Sequence, residues 1–225
     1  MIRITGDMHG QQARLLQLMR DYEWGTDDYL IIAGDFGFLF CGDAAEQEFL
    51  DHLGKEFPAT IAFVDGNHES FDLIFSYPIE EWHGGKIHRI RRNIIHFIRG
   101  QVFVIEGKKL FAMGGAYSTD RYRRQQNVSY WEEELPENAD YIDAVKNLYK
   151  HGYDVDIVVT HTAPAGIIRR MGEHPHHGDA ELTGFLDWLA WDKLNFRYWY
   201  FGHWHRDKEI DERFTALWYD VKELE

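Results

Sequence analysis

The sequence predicts an α/β fold in which two β-sheets pack face to face with helices outside. Three observations predict it. Short apolar runs rich in β-branched and aromatic residues recur, helical patterns separate the early runs, and a later block of runs is joined by connections too short for helices. With 225 residues, 44% of them hydrophobic and 28% charged, the chain is long enough to bury most of its apolar surface, and residues 1–225 are expected to form one domain.

Residues 2–5 read as the first strand. Leu15, Leu16, Met19 and Tyr22 then share one face of a helix that begins near Gly10. Residues 29–33 and 60–64 are the next strands, with a second helix over 44–56 between them, so the order β-α-β-α-β points to a parallel sheet. Residues 94–98, 101–105 and 109–113 are joined only by Arg99-Gly100 and by Glu106-Gly107-Lys108, which predicts an antiparallel meander. Helices are expected at 139–151 and at 180–194, where Leu182, Phe185, Leu186 and Leu189 recur at helical spacing. Strands are expected at 156–160 and 197–201, with a closing strand over 214–221. The loops at 119–138 and 172–179 are long and polar, as substrate-contacting loops often are, although mobile surface is the commoner explanation of such loops.

Composition narrows the function. The single cysteine, Cys41, excludes an internal disulfide and any cysteine-built zinc cage. No stretch approaches the roughly 18 apolar residues of a membrane span, and no basic-then-apolar leader opens the chain, so a soluble cytoplasmic protein is expected. A formal charge of −14, from 38 acidic against 24 basic residues, argues against duplex nucleic acid as a partner. Local basic clusters exist at Arg89, Arg91, Arg92 and Arg99, at Arg121, Arg123 and Arg124, and at Arg169 with Arg170; each alone reads as solvated surface.

The chemistry lies at the strand ends. Each of five apolar runs is followed by metal-ligating side chains: Asp7 and His9, Asp35, Asn67, His161, and His203 with His205. In open α/β sheets, sites form outside the carboxyl ends of strands, so neighbouring strands would deliver these groups to one crevice. In an extended segment residues two apart point the same way, which would let Asp7 and His9 reach one cation together and turn both His203 and His205 towards the site. Gly6, Gly34, Gly66 and Gly202 would let the chain turn sharply and keep side chains away from the ions. A Gly-Asp pair alone is ordinarily a turn and a lone buried His ordinarily a satisfied core group. Independent turns, however, give no reason for ligating residues after five strands in order. The mixed oxygen and nitrogen donors suit manganese, iron, zinc or nickel rather than calcium.

Through Asp7-x-His9, Gly34-Asp35, Gly66-Asn67-His68-Glu69, His161 and Gly202-His203-x-His205, the chain resembles the calcineurin-like metallophosphoesterases. The resemblance implies a four-layer α/β/β/α sandwich of two mixed β-sheets and a site for two divalent ions, manganese or iron favoured. By analogy Asp7, His9, Asp35 and His205 would hold the first ion and Asn67, His161 and His203 the second, with Asp35 bridging. The catalytic residues would be Asp35 and His68, a histidine that is not a ligand and would bond the phosphoryl group or protonate the leaving oxygen. A bridging hydroxide between ions roughly 3.5–4 Å apart would attack phosphorus in line. The implied activity is hydrolysis of phosphomonoesters or phosphodiesters.

Phosphoprotein phosphatases of that family carry an Asp and an Arg where Phe38 and Leu39 stand here, which argues against a protein substrate. Phosphate would then be gripped by Arg121, Arg123 or Arg124, after Gly114-Gly115-Ala116, a tract that resembles uncharacterised bacterial and phage phosphoesterases. The His174-Pro175-His176-His177 tract reads as an exposed loop rather than a third metal site, one that could border the pocket or scavenge metal, and Trp204 reads as packing or a pocket wall. Two other functions are compatible with the sequence. One is a nuclease on single-stranded nucleic acid, which the arginine clusters favour and the net charge opposes; the other is a metal-binding scaffold without turnover, which His68 disfavours.

Overall fold

A computed structural model describes residues 1–224. In chain order the elements are β1 (Ile2–Thr5), α1 (Gln12–Asp21), β2 (Tyr29–Ile32), α2 (Ala44–Glu56), β3 (Thr60–Phe63), α3 (Phe71–Ser76), β4 (Ile79–Trp82), β5 (Gly85–Arg91), β6 (Ile94–Phe97), β7 (Gln101–Ile105), β8 (Lys108–Met113), α4 (Asn138–Lys150), β9 (Ile157–Thr160), α5 (Ala165–Arg170), α6 (Ala180–Trp188), β10 (Tyr198–Phe201), β11 (Lys208–Glu209), β12 (Phe214–Ala216) and β13 (Val221–Leu224). The first sheet runs β13-β1-β2-β3-β6-β5-β4 and the second β11-β12-β10-β9-β8-β7. Both mix parallel and antiparallel pairs.

Strand alternation builds the layers. In β2 and β3, Ile31 and Ala62 point into a core shared with Ile157, Val159 and Tyr200 of the second sheet. Their neighbours Leu30, Ile32, Ile61 and Phe63 point the other way, onto Leu15, Leu18, Leu50 and Leu53 of α1 and α2. On the far side, Val158, Trp199 and Phe201 pack on Leu148, Ile167, Ile168, Leu182 and Leu186 of α4, α5 and α6. Because both faces of the central strands are buried, they read as continuous apolar runs, and the result is helix, sheet, sheet, helix. Phe38 and Leu39 lie within the first of these helix-facing cores, which accounts for apolar residues at those positions.

Two strand assignments are corrected. The expected meander over 94–113 is split: β6 pairs with β3 and β5 in the first sheet, whereas β7 and β8 form a hairpin in the second. Arg99-Gly100 carries the chain between sheets. Arg99 is buried against Asp65, and Gly100 takes φ +72° with the backbone of Ala144 close beside it. The expected closing strand over 214–221 is likewise two strands, β12 in the second sheet and β13 in the first. Between them Asp207 accepts hydrogen bonds from the backbone amides of Trp218, Tyr219 and Asp220, which turns the chain out of one sheet and into the other. Among the described residues no helix is long and apolar enough to cross a membrane.

Candidate metal centre

Asp7 and His9 follow β1, Asp35 follows β2, and Asn67 with His68 follows β3, three adjacent parallel strands of the first sheet. His161 follows β9 and His203 with His205 follows β10, adjacent parallel strands of the second. The seven predicted ligands do meet, but they are drawn from two facing sheets rather than from five neighbours in one.

They form two groups. In the first, His205 Nε2 lies 2.8 Å from His9 Nε2 and 3.1 Å from Asp7 Oδ2, and His9 Nε2 lies 3.6 Å from Asp35 Oδ2. In the second, His161 Nε2 lies 3.5 Å from the other Asp35 oxygen and 3.1 Å from Asn67 Oδ1, and the His203 ring stands 5.0 Å from that of His161. Asp35 thus turns one oxygen to each group. His68 also comes within ligand spacing of His9 and Asp35. Its Nε2, however, accepts from Arg124 Nη2 at 2.9 Å. A guanidinium only donates, so the neutral ring keeps its proton on Nδ1 and neither nitrogen has a free lone pair.

The second group contains a contact that needs a cation. His161 Nδ1 donates to the Ala33 carbonyl at 2.9 Å, leaving Nε2 with its lone pair directed at Asn67 Oδ1. The orientation of Asn67 is fixed as well. Its Nδ2 donates to Ser118 Oγ at 3.0 Å, because the Ser118 hydroxyl itself donates to buried Glu134 Oε2 at 2.9 Å. Two acceptors therefore face each other at 3.1 Å with no donor between them, a repulsion that a divalent ion removes.

Electrostatics and backbone point the same way. Burial lowers the His9 ring to about 4 and the His203 ring to about 3, and also depresses His161, so these three imidazoles are held in the unprotonated, ligating form, whereas the hydrogen bond to Asp7 raises His205. Burial, with the Asp7 and Glu69 carboxylates nearby, pushes Asp35 well above the usual carboxylate range. Burial acts to raise Asp7 too, but the hydrogen bond from His205 and the nearby His161 hold it below its ordinary value. Two buried carboxyl groups beside three unprotonated rings call for positive charge. His9, Asp35, His203 and His205 all have φ between +46° and +68°, strain of order 1–3 kcal/mol each that such a site stores. The ligands after β1 and β10 therefore converge through left-handed turns, not through the strand alternation expected from sequence. Gly34 at φ +94° meets the predicted need for a turn. Gly202 meets a different one, since a Cβ there would run into the Asp7 carboxylate.

Several supporting residues were not apparent from sequence. Glu69 is buried, and its carboxylate accepts from Phe36 N at 2.5 Å and Gly66 N at 2.9 Å, tying the Asp35 loop to the Asn67 loop. The guanidinium of Arg14 donates to the Asp7 carbonyl and the Trp218 carbonyl. Ser118 lies in a tract that the sequence marked, and Glu69 completes a marked motif. Glu134 and Arg14 carry no local signal, because their partners are distant in the chain.

A cavity of about 550 Å³ opens in front of the ligands, lined by His68, Arg124, His174, His176, Asp179 and Trp204 among others. Of the three arginines proposed to grip phosphate, only Arg124 lines it. Arg121 is bound to Glu134 at 2.8 Å and lies over the Tyr117 ring, while Arg123 is exposed over Tyr122. The cluster at 89–99 is likewise engaged, with Arg89 on Glu80, Arg91 on Asp51 and Arg99 on Asp65.

The calcineurin-like phosphoesterase family model matches residues 1–207. Among curated proteins nothing matches. Among solved structures the chain is similar to a putative 5'-nucleotidase from Staphylococcus aureus, at 15% identity and a TM-score of 0.50 over 96% of this chain and 48% of that one. The chain thus spans about half the length of that structure, and the likeness is one of fold. It is also similar to the phosphopantetheinyl hydrolase PptH from Mycobacterium tuberculosis, at 18% identity and a TM-score of 0.46 over 97% of this chain and 89% of that one.

Proposed function

The chain belongs to the calcineurin-like phosphoesterase family, and on that premise we propose that this metal-dependent phosphoesterase works with two divalent ions on a small phosphomonoester or phosphodiester. One ion would sit among Asp7, His9, Asp35 and His205, the other among Asp35, Asn67, His161 and His203. The observation that carries this is the pair of unprotonated acceptors, His161 Nε2 and Asn67 Oδ1, held 3.1 Å apart beside a shared Asp35. Manganese or iron best fits a set of two carboxylates, an amide oxygen and four imidazoles. When bound, the ions would acidify a water and neutralise charge on the phosphoryl group.

The remaining steps fall to the chain itself. Arg124, fixed by Asp120 Oδ1 at 2.8 Å from its Nε, would turn its Nη2 from His68 onto a phosphoryl oxygen. His68 would hold that oxygen through Nδ1–H. Burial and then the Arg124 charge lower its ring to about 3, so positioning suits it better than protonating the leaving oxygen. The Asp35 carboxylate, accepting the His68 backbone amide at 2.8 Å, links the ligand cluster to this phosphoryl seat. We further propose that residues 1–225 act as one domain and, given the unpaired Cys41, that it works in the cytoplasm. Paired arginines and the acidic side chains of Asp120, Glu173 and Asp179 around the cavity favour small phosphoesters over single-stranded nucleic acid.

Metal analysis of freshly purified protein, followed by a panel of phosphomonoesters and phosphodiesters, tests the proposal. Turnover that is lost with chelator and in His68→Ala supports it. A folded, metal-loaded protein inert across the panel overturns it.

A further inference from the structure

The cavity extends well past the ligands. At about 550 Å³ it has the size of a small-molecule site. Residues 172–179 form its far wall and are held firmly in place. Glu173 pairs with Arg206, one residue beyond His205, and the His176 ring stacks on Tyr117 at 4.5 Å and 11°. Gly178 donates its amide to His176 Nδ1 at 3.0 Å and lies so close to the Tyr117 ring that a Cβ has no room.

Within this wall Asp179 differs from the other acids. Asp120 is paired with Arg124 and Glu173 with Arg206. Asp179 is only 3% exposed yet lines the cavity and, among the described residues, makes no ion pair with Lys or Arg; the backbone amides of Tyr117 and Asp179 lie near its carboxyl, but its Oδ1 has no hydrogen-bond partner. Burial pushes its carboxyl up to about 6. A buried carboxylate oxygen without a donor costs roughly 1–3 kcal/mol or more, a cost that a ligand removes by supplying one.

We infer that this wall seats the departing alcohol and that Asp179 selects phosphoesters whose alcohol carries a hydrogen-bond donor, a hydroxyl or an ammonium group, several bonds from the ester oxygen. The inference rests on the phosphoesterase proposal for the location of the phosphoryl group. It adds the recognition of the other half of the substrate.

Calorimetric titration of the metal-loaded full chain with propyl, 3-hydroxypropyl and 3-aminopropyl phosphonate tests it, because phosphonates bind without being hydrolysed. The wild type is expected to bind a donor-bearing compound roughly tenfold tighter than the propyl compound. Asp179→Ala should erase that ratio while bound metal per chain stays constant. Asp179→Asn should keep a preference for the hydroxyl and lose one for the ammonium, which separates a neutral from a cationic group. Equal affinities in the wild type overturn the inference. So does a ratio that survives in Asp179→Ala, the result expected if a buried water satisfies Oδ1. Discrimination among phosphonates without turnover of the matching phosphates removes the phosphoesterase proposal and leaves the subsite standing; failure of all three to bind removes both.

Discussion

The candidate ligands sit within four residues of the ends of β1, β2, β3, β9 and β10, and each of these strands is paired on both sides. The facing wall of the same cavity, residues 117–134 and 172–179, has only short helical turns of its own and is held by buried side chains such as Glu134 and by stacking on Tyr117. The ligand rim can therefore carry four left-handed residues, because truncating one core side chain beneath it, such as Phe201, would cost about 3–5 kcal/mol. The wall has no such foundation. What it contributes, the aim of Asn67 and the placement of Arg124 and Asp179, depends on a few side-chain contacts and is correspondingly easier to change.

The largest effect is expected at the rim. Asp35→Asn should lower turnover by roughly 10²–10³-fold or more and reduce bound metal from about two ions per chain to one or none, read by metal analysis. The same change relieves the repulsion between the Asp7 and Asp35 carboxylates, so the metal-free variant should melt at a higher temperature than the metal-free parent. Two ions retained in Asp35→Asn would break the distinction between rim and wall.

This division also decides what the sequence made legible. The ligands were readable because each follows an apolar run, and a central strand buried on both faces is such a run. Membership of a sheet was not readable. Ile94–Phe97 and Gln101–Ile105 are similar apolar runs, and the connection that carries the chain from one sheet to the other, with Arg99 buried against Asp65 and Gly100 left-handed, has no signature in them. The wall was least readable, since three neighbouring arginines differ only in their partners. Glu134 takes Arg121, solvent and Tyr122 take Arg123, and Asp120 with His68 takes Arg124.

Smaller effects are expected where wall meets rim. Ser118→Ala frees the Asn67 amide to flip, so affinity for one of the two ions should fall about 10–100-fold while the other stays, with Ser118→Thr restoring it. Competition with a metal-sensitive dye would show the two sites separating, and equal weakening of both would mean that Ser118 acts on the fold at large. Arg124→Ala removes one charged donor from the phosphoryl seat and should cost roughly 10–100-fold in kcat/KM with metal content intact. Arg123→Ala, on the exposed neighbour, should change neither.

The smallest effect concerns pH. His9 and His203 are lowered to about 4 and about 3 from an ordinary value of 6.5, and His68 and His88 to about 3 and about 4. Depressed values mean that the folded protein favours the neutral rings. Below the unfolded value the unfolded chain binds protons that the folded one refuses, so the stability these rings contribute is present above about 6.5 and is lost as the pH falls towards 4. Asp35, Glu69, Asp179, Glu134 and Asp140, whose carboxyls burial raises, and His205, raised by its hydrogen bond to Asp7, act in the opposite sense. The contribution of one ring is read by difference: in chelator-treated protein the urea midpoint of the parent should lose more between roughly pH 7 and 5 than that of His203→Asn, by the share of one proton. Equal losses in parent and variant would mean that the His203 ring is already charged when folded, and a charged imidazole has no lone pair to offer a metal.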